Sequence, residues 1–144
     1  MKIRGARKLK RKLNNMSESV RADKLETAAR AGAFPISNEA KRRAPKKSGT
    51  LARSIGPETT HKTATKVKIA IGTNVVYARI HEYGGVITPK QADMLHFTID
   101  GKEIFTDEVQ MPARPYLRPA FDEKKREAEK EMRDAWVSLI KGAI

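Results

Sequence analysis

The chain has 144 residues, with 30 Lys plus Arg against 17 Asp plus Glu, a formal net charge of +13 and no cysteine. That length fits a single domain with one core, and a composition of 39% hydrophobic and 33% charged residues excludes a collagenous, low-complexity or wholly disordered chain. The lack of cysteine excludes disulfides, thiol nucleophiles and thiolate zinc sites and fits a reducing cytosol. No apolar run approaches the roughly 18 residues of a membrane span, and no uninterrupted apolar segment follows the basic N-terminus, so neither membrane insertion nor a secretory signal is expected.

Taken in chain order, Leu9, Leu13, Met16 and Val20 recur at helical spacing. Asn14, Asn15 and Ser17 are expected to interrupt that helix, with Ser17 or Ser19 capping the next. The run VRADKLETAARAG is rich in helix formers and places Val20, Leu25, Ala28 and Ala29 on one side. Gly32 and Pro35 threaten the helix, and Pro35 predicts a kink or short break, after which Ile36 and Ala40 restore the face until Pro45 ends it. PKKSG (45–49) reads as a turn, Thr50–Ile55 as the entry to a sheet, and Gly56–Thr65 as a polar loop or hairpin connection. Lys66–Gly72 is the clearest strand, with Val67, Ile69 and Ile71 on its buried face.

Val75–Tyr83 predicts one or two helical turns stopped by Gly84-Gly85, and Val86–Thr88 a short strand ended by Pro89. Leu95–Ile99 and Glu103–Val109 flank Asp100-Gly101, the strongest hairpin signal. Residues 112–119 hold three prolines and must be extended. Pro119 suits the first turn of a last helix, with Asp122 and Glu123 near its positive end. The apolar stripe of that helix is Phe121, Ala128, Met132, Ala135, Trp136, Leu139 and Ile140. The order is α+β: N-terminal helices, a small antiparallel β-sheet and a long C-terminal helix. One domain spans 1–144, with a basic helical region (1–44), a sheet region (50–111) and a C-terminal helix (119–141).

The charge is uneven. Residues 1–56 carry 16 basic and 4 acidic side chains, residues 57–120 carry 8 and 7, and residues 121–144 carry 6 and 6. The densest block is Lys2, Arg4, Arg7, Lys8, Lys10, Arg11 and Lys12, which attracts a polyanion or an acidic protein face unless it is simply a solvated arm. With no aromatic residue before Phe34, the block lacks a stacking platform, and sequence-specific single-strand readout is not expected.

Catalytic chemistry finds no constellation. His61, His81 and His96 are well separated, and His81-Glu82 are adjacent and diverge on a helix. The Ser48-Gly49-Thr50 turn lacks the order of a phosphate loop. Asp107-Glu108, read as strand neighbours, point to opposite faces. No cofactor, metal or catalytic residue is assigned.

Three segments stand out instead. AKRRAPKKSGTLARSI (40–55) couples a helix end to a turn, with local punctuation as its plain reading, Leu51 and Ile55 entering the core. VYARIHEYGG (76–85) sets Tyr77 and Glu82 around one turn, or is an amphipathic turn with Ala78 packed and Glu82 exposed. MPARPYLRPAFD (111–122) presents Arg114 and Arg118 stiffly, for a contact between subunits or an internal salt bridge such as Arg114 with Glu82.

In this order the segments resemble the tail-completion (head–tail joining, or neck) proteins of long-tailed bacteriophages, also labelled minor tail or virion morphogenesis proteins. The family pattern is AK-x-x-AP, SGTL-x-x-SI, YA-x-x-x-E-x-G, then ARPFL-x-PA and a C-terminal helix. Here it reads Ala40-Lys41…Ala44-Pro45, Ser48-Gly49-Thr50-Leu51…Ser54-Ile55, Tyr77-Ala78…Glu82…Gly84, and Ala113-Arg114-Pro115-Tyr116-Leu117…Pro119-Ala120. Lys46-Lys47 replace a frequent apolar–acidic pair, and Tyr116 replaces the usual Phe.

The resemblance, over about residues 5–140, implies a non-enzymatic virion protein of the neck or tail, made in the host cytoplasm. It implies a homo-oligomeric ring, of six copies in the family, between a head-side connector or stopper and a tail terminator or tail tube. Tyr77, Glu82, Arg114, Tyr116 and Arg118 are the candidate interface residues, since aromatic and arginine side chains favour interface cores. The basic block would face channel DNA or an acidic neighbour. Competing readings are a tail terminator or other minor tail protein and, more distantly, a small basic nucleic-acid-binding protein.

Overall fold

Helix α2 (Glu18–Arg43) is the spine against which the C-terminal helix and the first two strands pack. The structure is a computed structural model that describes residues 6–15 and 17–142. Ser17 caps α2, its hydroxyl accepting from the Val20 N–H at 3.3 Å. Glu18 in the first turn and Lys41, Arg42 and Arg43 in the last complement the helix dipole. Ala44, held extended by the following Pro45, ends it. The expected break at Pro35 does not occur. An interior proline costs a helix about 3 kcal/mol, and here α2 is packed against α5 (Leu117–Lys141) and against the strands β1 (Gly56–Lys62) and β2 (Val67–Gly72). Tertiary contact therefore carries the helix through. The preceding helix α1 (Ala6–Asn15) ends before Ser17, as Asn14-Asn15 suggested. Val20, expected on the packed face, is exposed on the first turn of α2, and Met16 lies outside the described residues.

Helices α2 and α5 run antiparallel. Lys24 Nζ donates to the Leu139 carbonyl at 2.8 Å near one end, and Arg43 pairs with Glu123 near the other. Midway, a Cβ on Gly32 would lie 2.7 Å from the Ala128 carbonyl oxygen and 2.9 Å from Met132 Cβ. The glycine thus sets how closely the two helices approach.

On the other flank, β1 and β2 form an antiparallel ladder from Gly56↔Gly72 to Lys62↔Val67, irregular between Thr59 and His61. Gly56–Thr65, expected to be a polar loop or hairpin connection, is a strand over Gly56–Lys62. GPETTHK has no apolar alternation, and polar contacts hold it to α2. Arg30 donates to the Pro57 carbonyl and to Thr59 Oγ1 (2.9 Å), while Lys62 Nζ reaches Asp23 Oδ1 (2.6 Å) and Glu26 Oε2 (2.7 Å). The sheet entry expected at Thr50–Ile55 is a single helical turn, α3 (Thr50–Ser54), launched from Gly49 at φ 72°. Leu51 and Ile55 are four apart, a spacing that places them on one face in either conformation.

The remaining strands form two more two-stranded antiparallel ladders rather than extending one sheet. After α4 (Ala78–Tyr83) and the Gly84 turn, β3 (Gly85–Ile87) pairs with β6 (Val109–Met111). Between them projects the hairpin of β4 (Leu95–Ile99) and β5 (Lys102–Thr106), whose Asp100-Gly101 turn has φ 50° and 79°, as its sequence predicts. Asp107-Glu108 sit in the bend between β5 and β6, not on a strand.

Candidate functional site

The four motif segments meet inside the molecule. The principal core cluster is Ala40, Ala44, Leu51, Ile55, Ala78, Tyr116 and Ala120. Ala40 and Ala44 come from the first motif, Leu51 and Ile55 from the second, Ala78 from the third, and Tyr116 and Ala120 from the fourth. The end of α2, α3 and α4 thus share one buried cluster with Tyr116. Burial there pushes the Tyr116 phenol above its ordinary pKa.

Glu82 fixes the same junction electrostatically. Its carboxylate lies at the N-terminus of α5 and accepts from the backbone N–H groups of Tyr116 (2.8 Å), Leu117 (2.9 Å) and Arg118 (2.9 Å). The N-cap residue Tyr116 supplies no side-chain cap of its own. A carboxylate from another element therefore satisfies donors that a helix leaves orphaned and faces its positive end. Burial drives the Glu82 carboxyl upward in pKa, but the N–H groups of Leu117, Tyr116 and Arg118 outweigh burial and hold it below the ordinary value. Two backbone features complete the joint: Arg114 N–H donates to the His81 carbonyl at 2.7 Å, and Gly84 turns at φ 68°. A Cβ on Gly84 would lie 2.7 Å from Ala113 N.

A second ionic joint lies nearby. Glu39, on the buried side of α2, accepts from Arg42 (2.6 and 2.9 Å) and from Arg43 Nε (2.5 Å), and Arg43 also reaches Glu123 on α5. The Arg42 hydrogen bonds, helped by Arg43, hold Glu39 at a pKa of about 2 against the cost of burial.

The candidate interface residues separate accordingly. Glu82 and Tyr116 are buried and occupied within the chain. The alternative exposed setting of Glu82, and its ion pair with Arg114, give way to the helix cap. Tyr77 is 43% exposed, its ring edge-on to His81 at 5.8 Å. Arg114 is exposed, and Arg118 is at the surface, with Nε 3.3 Å from Asp122 Oδ2 on its own helix. Because α4 is bonded to the 114–118 segment, Tyr77, Arg114 and Arg118 rim the motif core. Of the basic block, Arg7, Lys8, Lys10 and Arg11 are exposed on α1, Lys12 belongs to the same helix, and Lys2 and Arg4 lie outside the described residues. Among the described residues, no group of three or more His, Cys, Asp or Glu is placed to hold a metal ion.

Two surface features escaped the sequence reading. An apolar groove opens between β2 and α5 over a floor of α2, and the β4–β5 hairpin projects with Phe105 and Ile99 exposed. The alternation of Val67, Ile69 and Ile71 signalled a buried face, yet all three are only half-buried, because α2 covers one side of them and nothing described covers the other.

The model of one protein family, described as "Bacteriophage HK97-gp10, putative tail-component", matches residues 7–84, a little over half of the chain and inclusive of the first three motifs. Neither a curated protein nor a solved structure matches it significantly.

Proposed function

The chain belongs to the HK97-gp10-like family of phage tail components, and on that premise we propose that it is a structural protein of the virion neck. Copies form a ring between the head-side connector or stopper and the tail terminator or tail tube. The observation that carries this reading is the convergence of all four motifs. The fourth lies beyond the matched residues, yet Tyr116 and Ala120 complete the cluster begun by Ala40 and Ala44. The neck-family resemblance is thus a single packed unit rather than four separate short matches.

A ring with cyclic symmetry needs a heterologous interface, in which one surface meets a different surface of the next copy. Tyr77, Arg114 and Arg118 are available for such a contact, whereas Glu82 and Tyr116 serve it by holding the rim in shape. Arg7, Lys8, Lys10 and Arg11 face channel DNA or an acidic neighbour. Arg114→Ala and Arg118→Ala are expected to weaken assembly more than Lys10→Ala. Equal losses from all three, with the fold intact by circular dichroism, remove that ranking.

The deciding experiment is deletion of the gene in a producing lysogen, followed by negative-stain electron microscopy of the lysate. DNA-filled heads beside separate, normal-length tails place the protein at the joint. Tails of uncontrolled length assign it to the terminator instead, and intact virions overturn the neck reading.

A further inference from the structure

Among the described residues, the β4–β5 hairpin makes extensive contact only with itself and touches the rest slightly. Its register puts Leu95, Phe97, Ile99 and Ile104 on one face, with Ile99 half-exposed. The other face carries His96 stacked on Phe105 at 4.5 Å, and Phe105 is 60% exposed. An isolated two-stranded hairpin is marginal in water, and this one presents apolar groups on both faces. Its charge is also opposite to that of the whole. Residues 93–108 hold Asp93, Asp100, Glu103, Asp107 and Glu108 against Lys102 alone, within a chain of net charge +13.

The groove has the complementary character. Ile36 on its floor, Ile69 and Ile71 on one wall, and Phe121, Met132 and Trp136 on the other make it apolar along its length. Lys66, Lys125 and Arg133 stand at its edges, with Glu129 as the acidic exception. From Phe121 to Trp136, α5 rises about 22 Å at 1.5 Å per residue. A five-residue strand is about 17 Å long, so a strand of the hairpin laid along the groove matches it in length.

We propose that the acidic β4–β5 hairpin of one copy docks into the basic-edged groove between β2 and α5 of the next. Groove and hairpin lie on different parts of the chain, so the contact is heterologous and propagates in one direction, as a ring requires. This rests on the neck-ring reading and names the surfaces that would build it.

Because the chain has no cysteine, the contact is testable without background. The full-length double variant Ile99→Cys/Phe121→Cys is treated with a short bismaleimide, and native mass spectrometry follows the assembly of the untreated wild type. A ladder of covalent multimers above the dimer is expected, absent from either single variant. Asp107→Lys with Glu108→Lys is expected to weaken association by about tenfold or more, and Lys125→Glu with Arg133→Glu in the partner to restore it.

Wild-type assembly without a ladder, indifferent to the charge exchange, overturns hairpin docking and leaves a ring built on another surface. A chain that is monomeric in solution and gives no multimer when crosslinked inside purified particles overturns the ring as well. Circular dichroism of each variant confirms that the fold is retained.

Discussion

The motif core and the β4–β5 hairpin place apolar side chains in opposite settings. In the core, small residues (Ala40, Ala44, Ala78 and Ala120) leave just enough room for Leu51, Ile55 and Tyr116, and all of these are buried. In the hairpin, Ile99 and Phe105 are half-exposed or more, and the strands have little but each other to lean on. The core is complete within one chain. The hairpin leaves apolar surface exposed, which the proposed docking would cover. Residues that define the family pattern therefore report how the subunit holds itself together, while a surface that assembles subunits leaves a weaker imprint in short motifs.

The sharpest test of this division is Glu82. Glu82→Ala leaves three backbone N–H groups at the start of α5 without their acceptor and is expected to destabilise the monomer by about 2–4 kcal/mol. Glu82→Gln keeps an acceptor but not the charge, so about half that loss is expected. Urea unfolding monitored by circular dichroism reads both. If Glu82→Ala costs no more than a hairpin substitution, the motif core is not the structural centre of the subunit.

A second test compares two positions on α2. At Gly32 there is no space for a side chain, because a Cβ would lie 2.7 Å from the α5 backbone. Gly32→Val is expected to cost about 1–3 kcal/mol by forcing the helices apart. Phe34→Ser, two residues on and half-exposed, is expected to change stability by less than about 0.5 kcal/mol. Thermal unfolding of the pair shows whether the close helix contact, rather than the large side chain, governs this region.

Much of this was legible in the sequence. The Asp100-Gly101 turn, a strand over Lys66–Gly72 (observed from Val67), a serine cap at Ser17 or Ser19 (observed at Ser17) and the burial of Leu51 and Ile55 follow from local chemistry, and the structure bears them out. Long-range partners were not legible. Gly32 reads as a helix weakener until Ala128 is placed against it. Pro35 reads as a break because its cost is local and the packing that offsets it is not. The segment 56–62 becomes a strand by pairing with β2 and by polar contacts to α2 at Arg30, Asp23 and Glu26, not through an apolar pattern of its own. Glu82 stands 34 residues from Tyr116 in sequence, so a one-turn amphipathic reading could see an exposed carboxylate but not the end of a helix waiting for it.

Acid titration probes how far the ionic joints support the core. Glu26 and Glu39 are held at about 2 by their hydrogen-bonded partners, from an ordinary value of 4.5, and Glu82 is also lowered. Groups with depressed pKa stabilise the fold fully above their unfolded value and lose that contribution as pH falls through the folded one. The stability these carboxylates contribute is therefore expected to be constant above about pH 5 and to decline from there toward pH 2. Glu82→Gln should make that decline shallower, since one of the linked carboxylates is gone. An unchanged slope in Glu82→Gln would leave the acid sensitivity to the α2 pairs alone.

The smallest expected effect on stability is the most informative about assembly. Phe105→Ser and Ile99→Thr remove exposed apolar surface from a hairpin that the subunit core does not use, so each is expected to shift monomer unfolding by less than about 0.5 kcal/mol. The same variants should lower the assembled fraction in native mass spectrometry, because the apolar surface they remove is what a second copy would cover. A loss of stability comparable to Glu82→Ala would mean that the hairpin is part of the fold after all. Unaltered stability with unaltered assembly would mean that its exposed side chains are solvent-facing in the ring as well. Only stability unchanged and assembly lost fits a subunit whose core is its own and whose arm belongs to its neighbour.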